Sequence, residues 1–141
     1  MVVFFLILLL FIALHLPYVM GMAFKPIGKF RRQLRAIANQ KKSEGLLSVM
    51  HVSGHQDFSE AFYSDVRSNL MKHELVQVKT RVKKKKDAVV LGDDLALNTD
   101  SEVAQVVGHS ILLFKSNDKG EVTQLLTKAM GRMDEEVAAD L

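Results

Sequence analysis

The chain changes its hydrophobic rhythm several times, and each change marks an element. Phe30, Leu34, Ile37 and Ala38 recur at helical spacing inside "FRRQLRAIANQ", with Arg31, Arg32 and Arg35 around them. That pattern predicts a basic amphipathic helix over 30–40, closed by the segment from Lys41 to Gly45. The apolar run Leu46 to Val52 predicts a short buried strand. Phe58, Phe62, Val66 and Leu70 then repeat every four residues, which predicts a helix from Phe58 to Lys72. In "LVQVKTRV" the apolar residues alternate with Gln77, Lys79 and Arg81, so Leu75 to Val82 reads as a second strand with one basic face. Asp87 is placed to cap a third helix through about Leu97. Ser101 to Gly108 and Ser110 to Lys115 read as two strands joined by a Gly108-His109 hairpin turn. Beyond Ser116, Val122, Leu125, Leu126, Ala129 and Met133 return to helical spacing in an acidic tail over 117–141. The order predicts one α/β domain, a mixed four-stranded sheet covered by about three helices.

The first residues follow no such pattern. Residues 1–23 contain no Asp, Glu, Lys or Arg, and Val2 to Leu16 is apolar apart from His15. A membrane span needs about 20 apolar residues, so this shorter run is expected to be a signal peptide in preference to a retained anchor. Small residues at Gly21 and Ala23 suit cleavage before Phe24. The chain has no cysteine, which excludes disulfides and thiolate metal sites. A small secreted domain often depends on such staples, so the secretory pathway reads as a route and not a destination.

Net charge is informative only when the chain is divided. From Phe24 to Lys86 there are 15 basic residues against 5 acidic, whereas Asp87 to Leu141 holds 4 against 11. The overall +3 therefore conceals a strongly basic half, the footprint of a polyanion binder. Catalytic patterns are missing: no H-E-x-x-H, P-loop or G-x-S-x-G occurs, and His51, His55, His73 and His109 fall on different elements. Asp93-Asp94 and Asp134-Glu135-Glu136 are neighbours that point to different sides of predicted helices, so solvent exposure is expected. No catalytic residue, metal, cofactor or small-molecule substrate is expected. Gly92, within the third helix, reads as a close packing contact.

"HELVQVK" (His73 to Lys79), the helix before it, and "AQVVGHSILLFK" (Ala104 to Lys115) closely resemble the CRM domain, named for chloroplast RNA splicing and ribosome maturation. With the "RRQLRAIAN" helix the resemblance runs over 30–116. It implies a fold similar to the C-terminal domain of bacterial translation initiation factor three. It also implies a Gly-x-x-Gly loop that meets RNA between the first strand and the second helix. That loop falls on Gly54, His55, Gln56 and Asp57, with Asp57 in place of the second glycine. The alternative is a plain turn in which Asp57 caps the next helix. The expected RNA-contacting residues are Gly54, His55 and Gln56, the helix arginines Arg31, Arg32 and Arg35, and Lys79, Arg81, Lys83, Lys84, Lys85 and Lys86. Lysines suit phosphate contact more than base reading. Tyr63 is available for stacking, while Phe58, Phe62 and Phe114 look like core.

Stand-alone bacterial members of that family associate with large-subunit precursors, so the implied partner is ribosomal RNA in a pre-ribosomal large subunit. Intron RNA, in group II splicing, is the alternative, and a protein-interaction module that has lost RNA binding is another. "GMAFKP" (Gly21 to Pro26) resembles the junction of bipartite presequences in algae with complex plastids, with 24–29 as a short transit-like segment. The expected location is a plastid, with the membrane met only through the N-terminal targeting segment. An endomembrane or secreted location is the alternative.

Overall fold

The computed structural model describes residues 28–140. The expected signal peptide at 1–23, and 24–27 of the transit-like segment, lie outside the described residues. Helix α1 spans Gly28–Ser43 and buries Leu34, Ile37 and Ala38, the stripe its spacing predicts. It stops because Gly45 takes a positive φ of 71°. The Gly45 amide donates to Lys42 O at 3.2 Å and the Leu46 amide to Lys41 O at 2.8 Å, which satisfies the last carbonyls of the helix. Strand β1 (Ser48–His51) follows, then a 3-10 turn (His55–Asp57) and helix α2 (Glu60–His73). Ser59 caps α2, its hydroxyl accepting from the Phe62 amide at 3.2 Å.

Strand β2 runs only from Leu75 to Lys79, short of the Val82 that alternation predicts. The chain leaves the ladder because its next amides find other acceptors. Thr80 donates to His109 O at 2.8 Å and Arg81 to Ser53 O at 3.1 Å. Helix α3 covers Lys85–Thr99, with Lys84 at the capping position and no side-chain cap bond. Asp87 thus lies in the first turn of α3 and does not cap it, a correction to the sequence expectation. Strands β3 (Glu102–Val107) and β4 (Ser110–Phe114) form the expected hairpin, with Gly108 at φ 55° in its turn. Helix α4 (Glu121–Ala139) completes the described chain.

The sheet order is β1-β2-β4-β3, with β1 and β2 parallel and the other pairs antiparallel. Side chains alternate across it, so each face carries its own core. On one face Leu75, Ala104, Leu112 and Phe114 pack with Leu34 and Ile37 of α1 and with Val122 and Leu126 of α4. On the other, Val76, Val78, Ile111 and Leu113 pack with Val66 and Leu70 of α2 and Leu91 and Leu95 of α3. A Cβ on Gly92 would stand 3.3 Å from Ile111 Cγ2, so α3 lies close on the sheet as expected.

The acidic tail therefore belongs to the fold. Burying Val122 and Leu126 contributes roughly 3–5 kcal/mol together, and a polar lock adds to it. Glu74 is 3 % exposed and sits between α2 and β2 at φ 61°. Its carboxyl oxygens accept from the amides of Asn117 (3.1 Å), Val122 (2.8 Å) and Thr123 (3.2 Å), and from the Thr123 hydroxyl. A positive φ costs a non-glycine residue on the order of 1–2 kcal/mol, and these bonds hold Glu74 there. Gly120 leaves the space: a Cβ there would fall 2.1 Å from the Glu74 carboxyl.

Candidate nucleic-acid interface

Helix α1 covers only part of its sheet face. Along the uncovered part runs a groove of about 560 Å³. Its helix wall carries Arg32, Arg35, Ala36, Asn39 and Lys42, of which Arg32, Arg35, Asn39 and Lys42 fall three or four residues apart and so share one side of α1. Its floor is the sheet, with Gln77 of β2, Gln105 and Val107 of β3, and Ser110 of β4. The floor is polar partly because β3 bulges. Between Val103 and Gln105 the register shifts, so that Gln105 pairs with Leu112 and faces α1 beside Ala104. Lys79 follows Gln77 by two residues and lies on the same face of β2.

No Asp or Glu lines this groove. Among the described residues, Arg32, Arg35, Lys42 and Lys79 form no ion pair. The cations that do are Lys41 with Glu121, Arg67 with Glu60, and Lys115 with Asp100. Charges of one sign repel along the helix wall of the groove, and an anion relieves that repulsion.

The Gly54–Asp57 loop sits where the resemblance implies, between β1 and α2, with Gln56 exposed but His55 and Asp57 engaged internally. Asp57 Oδ2 accepts from the Ser53 amide at 2.9 Å. Asp57 therefore closes the loop on itself, and Ser59, not Asp57, caps α2. His55 Nε2 lies 3.5 Å from Asp94 Oδ2, and its ring packs on Phe58 with centroids 5.4 Å apart. Phe58 in turn stacks on Phe62 at 5.3 Å and meets Tyr63 edge-on at 5.7 Å.

Tyr63 is no free stacking platform. Its hydroxyl donates to Asp94 Oδ2 at 2.6 Å, and Asn98 Nδ2 donates to Asp94 Oδ1 at 3.1 Å. Burial, then the hydrogen bond and charge of Asp94, then the charge of Glu60, push the Tyr63 phenol up to about 12. Asp94 is accordingly a shared acceptor, whereas its neighbour Asp93 is exposed as expected. Gly54 is extended, with φ −179°, and does not need glycine for its backbone. A Cβ there would meet only Gln56 Oε1, at 2.8 Å, the end of a flexible side chain.

The lysine run stands beside this loop. Arg81 is exposed and tied to Ser53 through its amide, Lys83 and Lys84 form the bend after it, and Lys85 and Lys86 open α3. All four lysines are exposed. Cations at a helix N-terminus oppose the helix dipole, by about 0.3–1 kcal/mol each. Only Asp87 offsets them in that turn, so this end of α3 also favours an anion.

The structure thus divides the expected contact residues. Arg32 and Arg35 line the groove and Lys79 extends its face, while Arg31 is exposed and does not line it. Gly54, His55, Gln56, Arg81 and the lysines gather around the loop. Asn39, Lys42, Gln77 and Gln105 are groove residues that sequence reasoning missed. Their signal was present, as a polar stripe continuing from Arg32 and Arg35, and as a glutamine interrupting each of two apolar strands.

Comparison with known proteins agrees with this architecture. A sequence model of the CRS1/YhbY (CRM) domain matches residues 28–115. Among solved structures, one similar chain is a hypothetical protein from Staphylococcus aureus, described as a candidate RNA-binding protein, determined in solution. It is 25% identical, with a TM-score of 0.54, covering 67% of this chain and 93% of that one. No curated protein matches the sequence. The chain belongs to the CRS1/YhbY (CRM) domain family.

Proposed function

We propose that this CRM-family chain is an RNA-binding accessory protein that grips phosphates along the α1 groove and the Lys79 to Lys86 edge, and acts by binding rather than catalysis. One observation carries the reading: cations line the groove without an acidic residue among them and without ion-pair partners among the described residues. Family membership and the description of the Staphylococcus protein support it. Its RNA is ribosomal, in a large subunit under assembly, as the resemblance to the bacterial members of this family implies. The "GMAFKP" junction favours a plastid as the place of action.

Binding to several phosphates releases counterions. Affinity for RNA should therefore fall steeply with salt, by about 0.7 log unit per log unit for each phosphate contacted on a single strand. A flat dependence would favour a second reading, a protein-interaction module. The internal engagement of Asp57 and His55 favours that one. Crosslinking the tagged protein to RNA in its native cell tests the ribosomal assignment. Recovery of intron RNA in place of large-subunit RNA would overturn it.

A further inference from the structure

Phosphate binding leaves one group in the groove without a use. Among the described residues, Gln77 Oε1 is the buried side-chain polar atom that has no hydrogen-bond partner. A buried acceptor left unpaired carries a desolvation penalty with no return, and a leucine between Val76 and Val78 would avoid it. Gln77 lines the groove floor together with Gln105. Both also border a deeper recess of about 50 Å³, walled by Ala38, Leu47 and Leu112. The groove has room for a nucleotide, and the recess only for the edge atoms of a base.

We propose that the groove takes one unstacked base of single-stranded RNA, whose exocyclic amine donates to Gln77 Oε1 while Arg32, Arg35 and Lys42 hold the flanking phosphates. This deepens the RNA-binding reading and rests on it. Adenine, cytosine and guanine each carry an exocyclic amine that can donate to this acceptor, whereas uracil has none and offers only an N3–H flanked by two carbonyl oxygens that the acceptor repels. No aromatic side chain lines the groove, so the half-buried Arg35 guanidinium covers the base face. Duplex RNA cannot enter in this way, because its bases stay stacked.

Fluorescence anisotropy of the full chain with short homopolymers of adenylate, cytidylate and uridylate, and with a duplex, tests the proposal. Adenylate and cytidylate should bind roughly tenfold tighter than uridylate, the worth of one good hydrogen bond. Gln77→Leu should bring adenylate and cytidylate affinity down to that of uridylate, and keep the thermal midpoint at least as high as in the wild type. Gln77→Met, which keeps the unbranched shape, should do the same. Equal wild-type affinity for the three homopolymers would overturn the proposal. So would Gln77 variants that weaken all RNAs alike or melt earlier, because Gln77 would then be structural. Failure of every RNA to bind at low salt would remove the phosphate reading as well, which separates the two.

Discussion

The α1 groove and the Gly54–Asp57 loop are two ways to prepare for an anion, and they are prepared unequally. In the groove the arginines and Lys42 crowd one wall with no acid to neutralise them. In the loop both ionisable side chains have a partner inside: Asp57 holds Ser53, and His55 is held by Asp94. A binding surface is better judged by which of its charges remain uncompensated than by the motif it matches. By that measure the groove leads and the loop follows.

Replacing Arg32, Arg35 and Lys42 together by Ala is the strongest way to break the comparison. At about 1 kcal/mol per charged contact, RNA affinity should fall on the order of 100-fold, and the log–log salt slope should shrink by about two units, read by anisotropy titration. Replacing Lys83 to Lys86 by Ala should cost roughly tenfold, since charges on open surface outside the groove contribute less each, and should weaken all RNAs alike. A larger loss than at the groove would reverse the ranking of the two regions.

Asp94→Asn is expected to alter RNA affinity by no more than about twofold through His55, in keeping with a weak exposed pair. Its clearer effect is on Tyr63, whose phenol is pushed up to about 12 by burial and then by Asp94. The raised value means that the neutral phenol is favoured by folding. Its stabilisation is complete below pH 10, the unperturbed value, and is lost as pH rises through about 12. With Asn at position 94 the tyrosinate absorbance should develop at lower pH. Asp57→Asn is the mildest change, retaining an oxygen for the Ser53 amide while removing the charge. RNA should bind about twofold tighter, whereas Asp57→Gly would also lose the loop-closing bond and gain less.

The fold was legible wherever the hydrophobic rhythm was local. The four-residue repeat from Phe58 to Leu70 placed α2, and Leu34 with Ile37 and Ala38 placed α1 and its buried side. The end of β2 was not legible, because alternation continues through Val82 while the hydrogen bonds that draw the chain away come from His109 and Ser53. Capping at α3 failed for a related reason. Asp87 is a favoured cap residue, but the chain turns into the helix at Lys84. At the candidate site the arginines of α1 were visible as charge. Gln77 and Gln105 acquire their meaning only when strand pairing and a bulge bring them under α1. The loop drew notice through its glycine, while the residue that restrains it, Asp94, lies on another helix.

The family match ends at Lys115, yet the groups that satisfy Glu74 come from Asn117, Val122 and Thr123. The smallest piece able to fold alone therefore reaches into α4, past the edge that sequence comparison draws. Synthesis imposes the same condition in time. While the nascent chain is still missing its last elements, Glu74 faces a core it cannot enter, since a buried carboxyl group without partners is strongly disfavoured. The domain then closes late, after the acidic segment has followed the basic one out of the translating ribosome.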